Sequence, residues 1–173
     1  MKITRLLAIL SALFLFTKSH ADPLKVGDAA PAVTGVTETG DKLNFAEVYP
    51  KGYTLVYFYP KADTGGCTKQ GCSLRDAYGD LTKQGVSVIG VSHDSPAAQK
   101  AFKDKNSFPF PLIADQDEAV SKAFGVPNIP ATGMASRQAY LINKDGKIVW
   151  CDYKAKTDKQ AEDVLAALKK LGG

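Results

Sequence analysis

Cys67 and Cys72 are the residues most able to do chemistry in this chain. They lie in the stretch TGGCTKQGC, Thr64–Cys72, with four residues between them. That spacing is too long for the C-x-x-C of a dithiol exchanger, and no paired knuckles are present to build a zinc site. On one intact helix, residues at i and i+5 differ by about 7.5 Å in rise and about 140° in direction. Their Cα atoms then stand roughly 8.7 Å apart, beyond the ~7 Å limit for a disulfide. The pair cannot bond unless that turn unwinds. Gly65-Gly66 directly precede Cys67 and Gly71 directly precedes Cys72. Each helical glycine costs roughly 0.5–1 kcal/mol, so the segment reads as one able to cycle between helix and bonded loop.

The surrounding elements explain why a cysteine stands there. The run YTLVYFYP, Tyr53 to Pro60, is rich in β-branched and aromatic residues and predicts a strand buried on both faces. A turn-forming loop, KADTGG, leads to a helix over residues 67–84, ending before Gly85. VSVIGVS, Val86 to Ser92, predicts a second buried strand, and a helix follows with Ser95 at its N-cap and Pro96 at its first position. PLIAD is a short strand and DEAVSKAFG a short helix ended by Gly125. QAYLINKDGKIVWCDY predicts a hairpin of two alternating strands about Asp145-Gly146. An amphipathic helix closes the chain, with Val164, Leu165, Leu168 and Leu171 on its apolar stripe. β-α-β units followed by a hairpin imply an α/β fold with a central mixed β-sheet flanked by helices. Ligands of such sheets sit beyond the carboxyl ends of the central strands. Cys67 falls there, at the start of the first major helix, where free N–H groups and the helix dipole favour a thiolate over a thiol. Position alone leaves a second reading open, a small buried residue at a strand–helix junction.

Composition bounds the function classes. The chain has 173 residues, 45% hydrophobic and 23% charged, enough for one compact domain. Residues 1–21 combine Lys2 and Arg5, an apolar run from Leu6 to Phe16 and a small-residue site at Ser19-His20-Ala21. That pattern predicts a cleavable signal peptide, with residues 22–173 as the folded domain. The run is too short to span a bilayer comfortably, so no stable membrane association is expected after cleavage. The segment carries three of the 22 basic residues and no acid, so 19 basic and 18 acidic residues remain, a net charge of about +1. With no basic stripe left, nucleic-acid binding has little support. Export also predicts an oxidising setting, a periplasm, and three cysteines are too few for a disulfide scaffold.

The stretch YFYPKADTGGCTKQGCSLRD resembles the active-site segment of the peroxiredoxins, whose signature is P-x-x-x-T-x-x-C. Pro60, Thr64 and Cys67 fit it position for position, and Cys72 followed by SLRD is similar to the bacterioferritin-comigratory, or peroxiredoxin Q, branch. The likeness runs from LKVGDAAPAVT to RQAYLINKDGKIV. One position departs from the pattern: that branch usually has Thr-Pro-Gly-Cys, and here Gly65 replaces the proline. The resemblance implies a thioredoxin-like fold and a thiol peroxidase acting on hydrogen peroxide and organic hydroperoxides. It implies that Cys67 attacks the peroxide and becomes a sulfenic acid. Thr64 would hydrogen-bond the peroxide, Pro60 would shield the thiolate, and Arg137 would stabilise the thiolate and polarise the peroxide. Cys72 would then close a disulfide that a thioredoxin-like dithiol protein reduces. No cofactor or metal is implied, and the branch is often monomeric.

The remaining candidates have quieter readings. Arg75, on the same helix as Cys67, is expected to pair with Asp76 or Asp80. Cys151 is expected to be a small core residue, and His93 a loop residue at a strand end, outside any G-x-S-x-G elbow. The competing function is an exported thioredoxin-like chaperone for copper or another soft metal, using Cys67, Cys72 and His93. Such proteins resemble C-x-x-x-C with a distant histidine, a spacing this chain lacks.

Overall fold

The structure, a computed structural model, describes residues 22–172. The expected signal peptide lies outside the described residues. A small hairpin of β1 (Thr34–Val36) and β2 (Lys42–Asn44) leads into the short helix α1 (Phe45–Val48). The central sheet follows, built from β3 (Tyr53–Phe58), β4 (Val86–Ser92), β5 (Leu112–Ala114), β6 (Gln138–Ile142) and β7 (Ile148–Asp152). Its order is β5-β4-β3-β6-β7, with β3, β4 and β5 parallel and β6 and β7 antiparallel. The connecting helices are α2 (Gly65–Asp76), α3 (Tyr78–Lys83), α4 (Pro96–Asn106) and α5 (Ala119–Ala123), and α6 (Gln160–Leu171) closes the chain. This is the expected thioredoxin-like mixed sheet with helices on both faces. No helix among the described residues is long and apolar enough to cross a membrane.

β3 explains how the sheet holds the fold together. Its side chains alternate between two cores, Leu55, Tyr57 and Tyr59 on one face, Val56 and Phe58 on the other. Helices α2, α3, α4 and α6 contribute Leu74, Leu81, Phe102 and Val164 to the first core. Helices α1 and α5 contribute Phe45 and Val120 to the second. With both faces covered, every residue of β3 after Tyr53 is buried, Thr54 included.

Three expectations are corrected. The helix over 67–84 is two helices: it begins at Gly65 and breaks at Ala77 (φ −95°, ψ 7°), where Tyr78 lays its ring against Phe110 at 5.9 Å. β6 is not an alternating strand. All five of its residues are buried because it lies inside the sheet between β3 and β7. Its turn spans residues 143–147, where Asn143 Oδ1 accepts from the N–H groups of Asp145 and Lys147 and Gly146 takes φ +70°. On α6, Leu171 is exposed and the buried face instead takes in Gln160, Ala161 and Ala167 with Val164 and Leu168.

Candidate active site

The parallel strands β3 and β4 end where the chain turns into the loop 59–64, and this loop delivers α2. A hydrogen-bonded chain anchors it. Tyr59 Oη donates to Gln99 Oε1, and Gln99 Nε2 donates to Ser92 Oγ and to the Ile113 carbonyl, both at 2.8 Å. Ser92 Oγ donates to Asp94 Oδ2 at 2.7 Å, and the same oxygen accepts the Ala62 N–H at 2.7 Å. Burial pushes the Tyr59 phenol well above its ordinary range, so it stays protonated and remains a donor. At Asp63 the backbone is left-handed (φ +57°), and Lys105 holds its carboxylate at 2.8 Å.

Thr64 is the N-cap residue of α2 in extended conformation (φ −98°, ψ 152°). Its exposed hydroxyl donates to the Lys61 carbonyl at 3.0 Å rather than capping the helix. The first intrahelical bond runs from Thr68 N–H to the Thr64 carbonyl, so the N–H groups of Gly65, Gly66 and Cys67 precede it. Cys67 is therefore the third helical residue, inside the first turn, with 2% exposure. Arg137, one residue before β6, lays its guanidinium over this turn. Its Nη2 donates to Cys67 Sγ at 3.3 Å, while Nη1 donates to Gln70 Oε1. A permanent positive charge thus faces a nearly buried sulfur at a helix N-terminus, placed where a reaction at that sulfur would develop negative charge on oxygen.

Of the residues singled out from sequence, Cys67 and Arg137 are brought into direct contact across 70 positions. Thr64 stands one turn before Cys67, and Pro60 is half-buried at the end of the strand that feeds the loop. Cys72 is half-buried further along α2, and all three cysteines are free thiols. Because α2 is continuous from Gly65 to Asp76, the obstacle to bonding Cys67 to Cys72 applies in full. Gln70 was missed by sequence reasoning. The available signal was its position three residues after Cys67, on the same helical face. Arg75 is structural, as expected: Nη2 pairs with Asp76 at 2.8 Å and Nη1 donates to the Asn106 carbonyl at 2.8 Å. Cys151 lies at the margin of the second core rather than inside it. It is half-buried on edge strand β7, with Sγ 3.2 Å from the Tyr153 hydroxyl. His93 spends its ring nitrogens elsewhere, Nδ1 at 3.2 Å from the Gly133 carbonyl and Nε2 at 3.0 Å from Ser121 Oγ. Among the described residues no three metal-ligating side chains cluster.

The glycines divide by role. A Cβ on Gly71 would meet the Phe108 ring at 2.4–3.0 Å, so this glycine is required by packing as well as weakening the helix. Gly65 faces open space. It occupies the first helical position, where proline is favoured, and Thr64 before it already has the extended backbone that a following proline demands. Gly65→Pro is therefore expected to raise stability by about 0.4–1 kcal/mol through the unfolded chain. A thermal melt checks this, and a lowered melting temperature would contradict it.

Residues 26–151 match the profile of the AhpC/TSA family. The chain belongs to the AhpC/TSA family. Its curated relatives in that family are peroxiredoxins, which are peroxidase enzymes. It is 39% identical to peroxiredoxin Bcp of Escherichia coli K12 over 155 residues, covering 86% of this chain and 97% of that one. It is 36% identical over 151 residues to a putative peroxiredoxin bcp of Coxiella burnetii, covering 84% and 99%. Among solved structures, peroxidoxin BcpB of Mycobacterium tuberculosis superposes with a TM-score of 0.80 at 27% identity, covering 86% of this chain and 98% of that one. The bacterioferritin comigratory protein of Xanthomonas campestris, studied for its alkyl peroxide reduction activity, superposes at 0.76 with 30% identity, covering 84% and 100%. The peroxiredoxin assignment accounts for a site built around one thiol, one guanidinium and a helix N-terminus.

Proposed function

We propose that this peroxiredoxin reduces hydrogen peroxide and alkyl hydroperoxides through Cys67, with Cys72 as the resolving thiol. The observation that carries the reading is the Arg137 guanidinium on Cys67 Sγ at the first turn of α2. The Cys67 thiolate attacks the terminal peroxide oxygen, the O–O bond breaks, and the leaving oxygen takes a proton to depart as water or an alcohol. Sulfur is oxidised to sulfenic acid by two electrons and the peroxide is reduced by two. Arg137 and the first-turn N–H groups face the atoms on which negative charge develops. The Thr64 hydroxyl, donating to Lys61, keeps lone pairs with which to receive the peroxide O–H. Pro60 keeps bulk water from the loop side. Cys72 then displaces hydroxide from the sulfenic sulfur, water leaves, and a disulfide forms after α2 unwinds between the two cysteines. A thioredoxin-like dithiol protein exchanges with that disulfide, returning two thiols and leaving oxidised itself.

The signal-like pattern of residues 1–21 supports export to a periplasm, where the reductant would be an exported dithiol protein. We place the active unit as a monomer on the branch resemblance alone. Titrating free thiols after adding one equivalent of hydrogen peroxide to the reduced protein tests the chemistry. The expected result is three thiols falling to one in the wild type, none lost in Cys67→Ser, and one lost in Cys72→Ser with a sulfenic acid trapped by a 1,3-dione. No thiol loss together with tight Cu(I) binding would replace this reading by the metal chaperone.

A further inference from the structure

Arg137 is held by more than its own strand. A guanidinium only donates, so Gln70 must turn its carbonyl oxygen toward Arg137. That fixes the orientation of the Gln70 amide and leaves its NH₂ pointing the other way. There Gln70 Nε2 donates to Gln160 Oε1 at 2.8 Å, a buried bond between residues 90 apart in sequence. Gln160 must then present its own oxygen, and its Nε2 is buried without a partner among the described residues. Both amides are 0% exposed. Gln160 is the first residue of α6 and stands on the same stripe as Val164 and Leu168, where an apolar side chain would satisfy the packing. A second tie lies alongside, from the Ala161 N–H to Ser73 Oγ at 3.3 Å.

We propose that Gln160 is a positioning residue for the peroxide reaction: it orients the Gln70 amide, and through it the Arg137 fork that rests on Cys67. The proposal rests on the reading of Cys67 and Cys72 given above. It has a consequence for both steps of that reading. Gln70 lies between the two cysteines, inside the segment that must unwind for the disulfide to close. While the Gln160–Gln70 bond stands, α2 is folded and the guanidinium is aligned for the peroxide. When the turn unwinds, Gln70 leaves both partners and Arg137 loses the group that orients it. Gln160 therefore favours the peroxide step and opposes closure, and its removal should move the two rates in opposite directions.

Gln160→Met is the test variant. It keeps the length and volume of the side chain, a swap that cores tolerate, and removes the acceptor. Gln160→Glu is the conservative partner, because in either protonation state its carboxyl keeps an oxygen opposite Gln70 Nε2. Stopped-flow mixing with hydrogen peroxide, followed by the fluorescence of the single tryptophan, Trp150, and by acid quench with thiol alkylation, separates oxidation of Cys67 from closure. Gln160→Met should slow the peroxide step by about tenfold, the size of one buried hydrogen bond, and speed closure several-fold. Gln160→Glu should keep both rates within about twofold of the wild type. A contact that merely stabilises the fold would lower the melting temperature in Gln160→Met and leave both rates unchanged, and that result overturns the proposal. So does a Gln160→Glu variant as slow toward peroxide as Gln160→Met. Failure of the underlying reading looks different: the wild type itself then shows no loss of two thiols per peroxide.

Discussion

Replacing Arg137 with alanine should slow the reaction of Cys67 with hydrogen peroxide by about 10²–10³, the cost of deleting one preorganised charged donor from a transition state that builds negative charge on oxygen. The geometry makes the loss specific. Nη2 meets the sulfur at 3.3 Å and Nη1 is spent on Gln70, so the fork serves two acceptors at once. Arg137→Lys should recover only part of the rate, since a single ammonium cannot hold the sulfur and the Gln70 carbonyl in that planar arrangement. Arg75 does not stand in for it, being committed to Asp76 and to the Asn106 carbonyl. Stopped-flow rates over a range of peroxide concentrations decide the point. An unchanged second-order constant in Arg137→Ala would remove the guanidinium from the chemistry and reopen the role of Arg75.

Phe108→Ala should give the largest loss of stability, about 3–5 kcal/mol, and a shift of α2 toward its unwound form. The ring is 3% exposed and packs edge-on against Phe102 (5.0 Å, 85°) and in a stack with Phe110 (5.4 Å, 11°). Its tip occupies the space a Cβ on Gly71 would need, so it is the apolar contact that seats the middle of α2, between the two cysteines, on the body of the protein, beside the Gln70 hydrogen bonds. Removing it leaves a cavity under the one stretch that must open for disulfide closure. Chemical denaturation measures the first effect. The second appears as hydrogen exchange in residues 67–72 at a rate above that of the wild type. Equal exchange in the two proteins would show that Phe108 holds the core and not the turn.

The strand pattern and the chemistry were legible in the sequence to very different degrees. Tyr53–Phe58 and Val86–Ser92 announce themselves because a strand buried on both faces is written mostly in β-branched, aromatic and other apolar residues. Ser95-Pro96 fixes the start of α4 because capping and proline geometry are local. Cys67 could be singled out by its place at the start of a helix, but Arg137 could be named only through resemblance: nothing in the spacing of two residues 70 positions apart states that they touch. Gln70 and Gln160 stayed hidden for the same reason, made stronger by their being uncharged. A buried glutamine looks like a surface glutamine until the element carrying it is folded against its partner. Leu171 misled in the opposite direction, since periodicity marks an apolar stripe but does not say where the protein beneath it ends. Gly71 was visible as a helix breaker, yet the ring it admits comes from Phe108, far along the chain.

The Asp94–Ala62 bond has a bearing on what happens after reduction. Asp94 grips the loop from β4, through Ser92 and Gln99, and none of these residues lies in the segment that unwinds between the cysteines. In the proposed cycle the entrance to α2 would therefore stay in register during disulfide closure while the turn behind it is lost. Once the donor has restored the thiols, the helix does not have to search for its starting point: Thr64 is already held at the cap. Winding one turn onto a standing template takes on the order of a microsecond or less, far faster than a bimolecular thiol exchange. On the proposed cycle, readiness for the next peroxide would be set by how often the reductant arrives and leaves, not by how long the site takes to reassemble.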